Sequence, residues 1–132
     1  MKSPSEDIIT ILNESSEFNF DEFFPSVGAE PAEPSETVTI FDTGGYPPQL
    51  TFDREEDYLY HSIQIRVRSA AYSDGWSMAE SIREYLHGRA NIVVGGTLYT
   101  LIKAFTPVFL LDMDNNQRIR FVINFNIQRR KV

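Results

Sequence analysis

Ile63-Gln64-Ile65-Arg66-Val67-Arg68 and Ile119-Arg120-Phe121-Val122-Ile123-Asn124-Phe125-Asn126-Ile127-Gln128 decide the fold. In each, large apolar side chains recur at every second position, with polar ones, and Val122, between them. This is the period of an extended strand with one face on a core and one face wet. Between the two stretches, Trp76, Ala79, Ile82, Tyr85 and Leu86 recur at steps of three and four, the period of a helix, with Ser73 placed to cap it and Gly88 to end it. Asn91–Val94 and Thr97–Phe105 flank Gly95-Gly96, a pair suited to a tight hairpin turn.

Upstream, Ile8, Ile9, Ile11 and Leu12 give a helix over Glu6–Phe18 with Ser5 as cap. Residues 25–36, with Pro25, Gly28, Pro31 and Pro34, read as a flexible loop or extended arm. Thr37–Phe41 reads as a strand, stopped by Asp42-Thr43-Gly44-Gly45-Tyr46-Pro47-Pro48. Leu50–His61 is a charged connection, and Pro107–Leu111 an apolar bridge. The expected fold is α+β: an antiparallel or mixed sheet of about four to five strands, with two helices packed on one face, in one domain over 1–132.

The chain's 132 residues are the length of one domain, and at 42% hydrophobic residues it can fill a core without staples. It has no cysteine, which excludes disulfides, thiolate metal sites and cysteine nucleophiles. Nothing reads as a signal peptide or a membrane span, so the expectation is a soluble, cytoplasmically made protein with no membrane partner. The net charge of −7 is polarised: residues 1–60 hold fourteen acids and two bases, so the remainder holds five acids and ten bases. Either the halves neutralise each other within the domain, or they present opposite potentials to neighbours. The bases are too diluted by acids for a nucleic-acid surface, and no sequence-specific nucleic-acid partner is expected.

The search for chemistry returns little. His61 and His87 stand alone, and no serine sits in a nucleophile elbow. Neither glycine pair carries the residues of a phosphate loop. Asp53, Glu55, Glu56 and Asp57 read as a solvated connection, with a carboxylate-based hydrolase or transferase as the rival. Asp112–Gln117 lacks the glycine and terminal glutamate of a calcium loop. Trp76 falls on the apolar helix stripe and reads as core. No catalytic residue, cofactor or metal is assigned. The pattern points to binding or assembly, with a small-molecule or anion-binding module on a ferredoxin-like sheet as the alternative.

Ile40–Pro48, Ile63–Arg68, Ala79–Gly88, Gly96–Ile102, Pro107–Leu110 and Arg120–Gln128 follow one another as in the minor capsid proteins of tailed bacteriophages of the tail terminator (tail completion, head–tail joining) type, which this sequence resembles over roughly residues 36–130. The resemblance implies a non-enzymatic ring subunit, commonly a hexamer, at the tail–head junction of a virion. It implies the tail tube protein and the head–tail connector protein as partners, with DNA free to pass through the ring. On this reading Gly44, Gly45, Tyr46, Pro47 and Pro48, the Leu50–Tyr60 loop, and Arg66 and Arg68 are expected at a subunit or tube interface, unless the glycines only make a turn and the arginines pair within the subunit.

Overall fold

A computed structural model describes residues 1–18, 20–47 and 58–132. Its elements are α1 (Pro4–Asn13), β1 (Phe24–Val27), β2 (Thr37–Tyr46), β3 (Leu59–Ser69), α2 (Tyr72–Leu86), β4 (Ile92–Val94), β5 (Thr97–Ala104), β6 (Phe109–Met113) and β7 (Ile119–Lys131). The fold is α+β, but among the described residues the mixed sheet has seven strands, in the order β1-β2-β3-β7-β5-β4 with β6 also on β7, rather than four or five.

The two unforeseen strands have different causes. β1 pairs with β2 in parallel through its main chain, Phe24 N–H reaching Glu36 C=O and Gly28 N–H reaching Ile40 C=O, both at 2.9 Å. Four residues that include a proline leave no periodic trace. β6, Phe109-Leu110-Leu111-Asp112-Met113, is apolar but for Asp112 and exposed along its whole length, so it lacks the alternation that marks a half-buried strand.

β7 is the middle of the sheet. One edge pairs with β3 along eleven residues, Ser69↔Ile119 to Leu59↔Arg129. The other edge is shared end to end: β5 takes Phe125–Lys131 and β6 takes Ile119–Val122. Ile63, Ile65, Val67, Phe121, Ile123, Phe125 and Ile127 are buried as their alternation requires, in one core with Ile8, Ile11 and Leu12 of α1 and Ile82 and Leu86 of α2. The wet face carries a polar ladder. Ser62 Oγ donates to Asn126 Oδ1 at 2.8 Å, Gln64 Nε2 to Asn124 Oδ1 at 3.2 Å, and Arg66 Nε to Gln64 Oε1 at 2.9 Å.

Helix limits shift from the expected ones. Ser3, not Ser5, caps α1: its Oγ accepts Glu6 N–H while Glu6 Oε2 accepts Ser3 N–H, a reciprocal capping box. Ser5 lies inside the helix, donating its N–H and hydroxyl to the Asp42 carboxylate, and the helix ends at Asn13, after which Glu14-Ser15-Ser16-Glu17 offers no apolar stripe. Ala71, not Ser73, is the N-cap of α2, with no side-chain cap bond. Gly75 lies over Phe121 so closely that a Cβ there would come within 2.9 Å of its ring and of Ser69 Cβ. Trp76 is 37% exposed rather than core; its indole meets the Phe121 ring edge-on at 5.6 Å, beside Tyr72 at 5.1 Å. The Gly95-Gly96 turn joins β4 to β5 as expected, with φ of 52° and 79°.

Candidate interaction surface

The phrase Asp42–Pro47 does not stop β2. The strand runs on to Tyr46, with a register shift between Asp42 and Gly44, and Gly44, Gly45 and Tyr46 pair with Ser62, His61 and Tyr60. Gly45 allows this because φ is +143° and because a Cβ would overlap the Tyr60 carbonyl oxygen. The bulge turns Asp42 under the start of α1, where its carboxylate takes two bonds from Ser5 at the positive helix end. Beyond it Tyr46 is 69% exposed. The expected interface residues Gly44, Gly45, Tyr46 and Pro47 thus form an exposed rim continuous with β2. Pro48, the Asp53–Asp57 carboxylates and residues 50–57 of the expected contact loop lie outside the described residues.

The two expected arginines part company. Arg66 is half-buried on the wet face, its guanidinium 4.8 Å from the centre of the Phe41 ring. Arg68 is 2% exposed and is taken up inside the subunit. It donates to Glu30 Oε1 at 3.0 Å, to Ser35 C=O at 3.1 Å and to Pro34 C=O at 2.6 Å. Arg120 reaches the same Glu30 oxygen at 2.9 Å, and Arg118 donates to Ala32 C=O at 2.6 Å. Three arginines of the basic half therefore pin the acidic, proline-bearing 28–36 segment to the sheet. The opposite charges of the two halves meet at this point within one subunit.

A second buried network fixes α1. Tyr99 O–H donates to Asp7, Arg129 Nη1 donates to Tyr99 Oη at 3.2 Å and to Lys2 C=O at 2.8 Å, and the Arg129–Asp7 ion pair spans 3.7 Å. Burial, then the bond to Asp7, pushes the Tyr99 phenol well above its ordinary pKa. His61 sits nearby with Nε2 buried and unpartnered. Burial first, then the Arg129 charge, hold its pKa below the ordinary histidine value, while Asp42 pulls weakly the other way. His87 closes α2, its Nδ1 accepting Ala104 N–H at 3.0 Å.

None of this converges on a reacting centre. Among the described residues no cluster of three or more His, Asp or Glu side chains is arranged to hold a metal ion, and no helix is long and apolar enough to cross a membrane. A depression between α2 and the α1–β1 connection is lined by Glu17, Glu22, Glu36 and Asp74, which repel an anion.

The feature that the periodicity did not announce is the exposed apolar edge. Phe109, Leu110, Leu111 and Met113 of β6 are 38–58% exposed, and Tyr72 and Trp76 of α2 stand on Phe121, the residue that Leu110 faces across the ladder. An open apolar sheet edge is the hallmark of a contact surface, because a free edge of this kind associates. The one available signal was the apolar run itself, followed by the Asp114–Arg118 turn.

A family model for bacteriophage tail terminator protein matches residues 5–131. A chain in a solved structure described as the virion of a native gene transfer agent (GTA) particle superposes with a TM-score of 0.67 at 13% identity, covering 96% of this chain and 94% of that one. No curated protein sequence matches the chain.

Proposed function

Because this chain belongs to the bacteriophage tail terminator family, we propose that it is a virion structural protein that caps the head-proximal end of the tail tube, ends tail growth and joins the tail to the head connector. In this reading it acts as a ring of six copies, through whose centre DNA passes, and it is assembled in the cytoplasm of the bacterial host. Its partners are further copies of itself, the tail tube protein and the head–tail connector protein.

The observation that carries the reading is the apolar β6 edge in a chain whose family match runs nearly end to end. A surface of that kind needs a neighbour, and a ring supplies one to every copy through heterologous contacts. The likeness of fold to a chain of a gene transfer agent virion agrees with a place in a virion. The Gly44–Pro47 rim and Arg66 are assigned to subunit or tube contacts. Arg68 serves the same surface indirectly, by holding the 28–36 segment in shape.

The test is the native mass of the purified protein by light scattering, alone and after addition of purified tail tubes. A six-copy particle, or six copies bound per tube end, is expected. A protein that stays monomeric and does not bind tube ends refutes the assignment.

A further inference from the structure

The β1 and β6 edges of the sheet stand level with one another. Along one row lie Pro25, Val38, Val67, Phe121 and Leu110; along the next, Ser26, Thr39, Arg66, Val122 and Phe109. β1 and β6 therefore end the same rows on opposite sides. β1 runs parallel to β2, and β6 runs opposite to β7 and so opposite to β1. If equal copies are set side by side about an axis along the strands, β6 of one meets β1 of the next as an antiparallel neighbour, rows aligned.

The edges differ in chemistry. In β1 the bonds of Phe24 and Gly28 to β2 turn Pro25 and Val27 outward. Pro25 has no N–H, so Val27 is the main-chain donor of that edge, and β1 cannot make a long ladder with a second β1. Phe24 and Val27 are 50% and 39% exposed. β6 has neither the lysine nor the proline that usually guards an edge. Its nearby charges are already answered: Asp112 by Arg120 at 3.0 Å and Asp114 by Arg118 at 2.7 Å. A neutral apolar edge suits another neutral apolar edge better than a charged partner. At roughly 200 Å² for a fully exposed large side chain, Phe109, Leu110, Leu111, Met113, Tyr72 and Trp76 offer on the order of 500 Å². That is more than half of the roughly 800 Å² each side of a standard interface buries.

We infer that the β6 edge, with Tyr72 and Trp76, is the docking surface for the β1 edge of a second copy of this chain, so that the sheet continues from subunit to subunit. The inference rests on the ring reading above and names its contact. Val27 of the incoming copy settles on the helix-side face near Leu110. Phe24 settles on the opposite face near the Asp112–Arg120 pair.

The chain has no cysteine, which makes cross-linking clean. Val27→Cys, Leu110→Cys and the double variant are treated with a short bis-maleimide under conditions where the wild-type particle is multimeric, with tubes added if they are needed. The expected result is a covalent ladder from dimer to closed ring in the double variant, dimers when the two single variants are mixed, and no self-coupling of either alone. Self-coupling of Leu110→Cys alone means a two-fold β6–β6 contact and overturns the inference. A multimeric double variant with no cross-links also overturns it, leaving the ring to other surfaces. A wild-type protein that never multimerises, with or without tubes, removes the ring and this contact together.

Discussion

Replacing Arg68 with alanine separates a structural arginine from an interface arginine. The guanidinium is 2% exposed, and its loss strands the Ser35 and Pro34 carbonyls and half of the partnership of Glu30, itself 11% exposed. Breaking a buried ion pair from one side costs about 3–5 kcal/mol. Arg120 still holds Glu30 at 2.9 Å, which puts the expected loss near the lower end, about 3 kcal/mol. With an unfolding entropy of about 2.1 cal/mol/K per residue over 132 residues, that loss lowers the melting temperature by about 10 °C. Arg66→Ala removes only a half-exposed stack on Phe41, worth about 0.5–1 kcal/mol, or at most about 4 °C. Thermal melts followed by circular dichroism make the comparison, and a double-mutant cycle with Glu30→Gln isolates the pair. If Arg68→Ala melts within about 2 °C of the wild type, the network does not hold the 28–36 segment and the reasoning fails.

Tyr99→Phe removes the hydroxyl between Asp7 and Arg129 and leaves a carboxylate that is 1% exposed with a partner 3.7 Å away; a loss of about 1–3 kcal/mol is expected in denaturant titration, and no loss would mean that α1 is held by its apolar face alone. Gly45→Ala sets a Cβ into the Tyr60 carbonyl, so it should destabilise by about 1–3 kcal/mol, more than Gly44→Ala, where φ is +112° but the space is open; equal melts would place the close approach in doubt. His61 has its pKa lowered in the fold, so the folded state binds fewer protons than the unfolded one, and the stability His61 contributes is present above about pH 6.5 and is lost as pH falls through its lower native value. Melts of wild type and His61→Gln between pH 7.5 and 5 should therefore diverge in slope, and parallel slopes would show that this histidine is not held neutral by burial.

The strands that could be read directly were those with one wet and one dry face. Ile63–Arg68 and Ile119–Gln128 alternate because a core lies on one side only. The second helix was legible for the same reason, and the turn after β4 because two adjacent glycines demand it. Three things were hidden, each for a physical cause. β1 owes its place to the main chain of β2, which is 13 residues away along the sequence. Gly44-Gly45 reads as a stop, yet it is used for a tight strand approach that only the position of Tyr60 reveals. The burial of Arg68 could not be seen, because an arginine at an outward position of a strand becomes interior only when a distant loop folds over it. Of the candidate surface, the glycine rim and Arg66 were visible as residue types, whereas the β6 edge had no periodicity to mark it.

The strand at the middle of the sheet follows all of its partners along the chain. β3, β5 and β6 all lean on β7, and α1 is fastened by bonds that join residues 92 and 127 positions apart, Asp7 to Tyr99 and Lys2 to Arg129. α1 can rest on β1 and β2 and be held there by the Ser5–Asp42 bonds, but its Lys2–Arg129 bond, and the ladders that join β3 to β5 and β6, wait for Ile119–Lys131. The sheet cannot close until β7 is in place. A copy without β7 would leave β3, β5 and β6 each with an unpaired edge, so only chains that have laid this strand into the sheet should be competent to meet their neighbours.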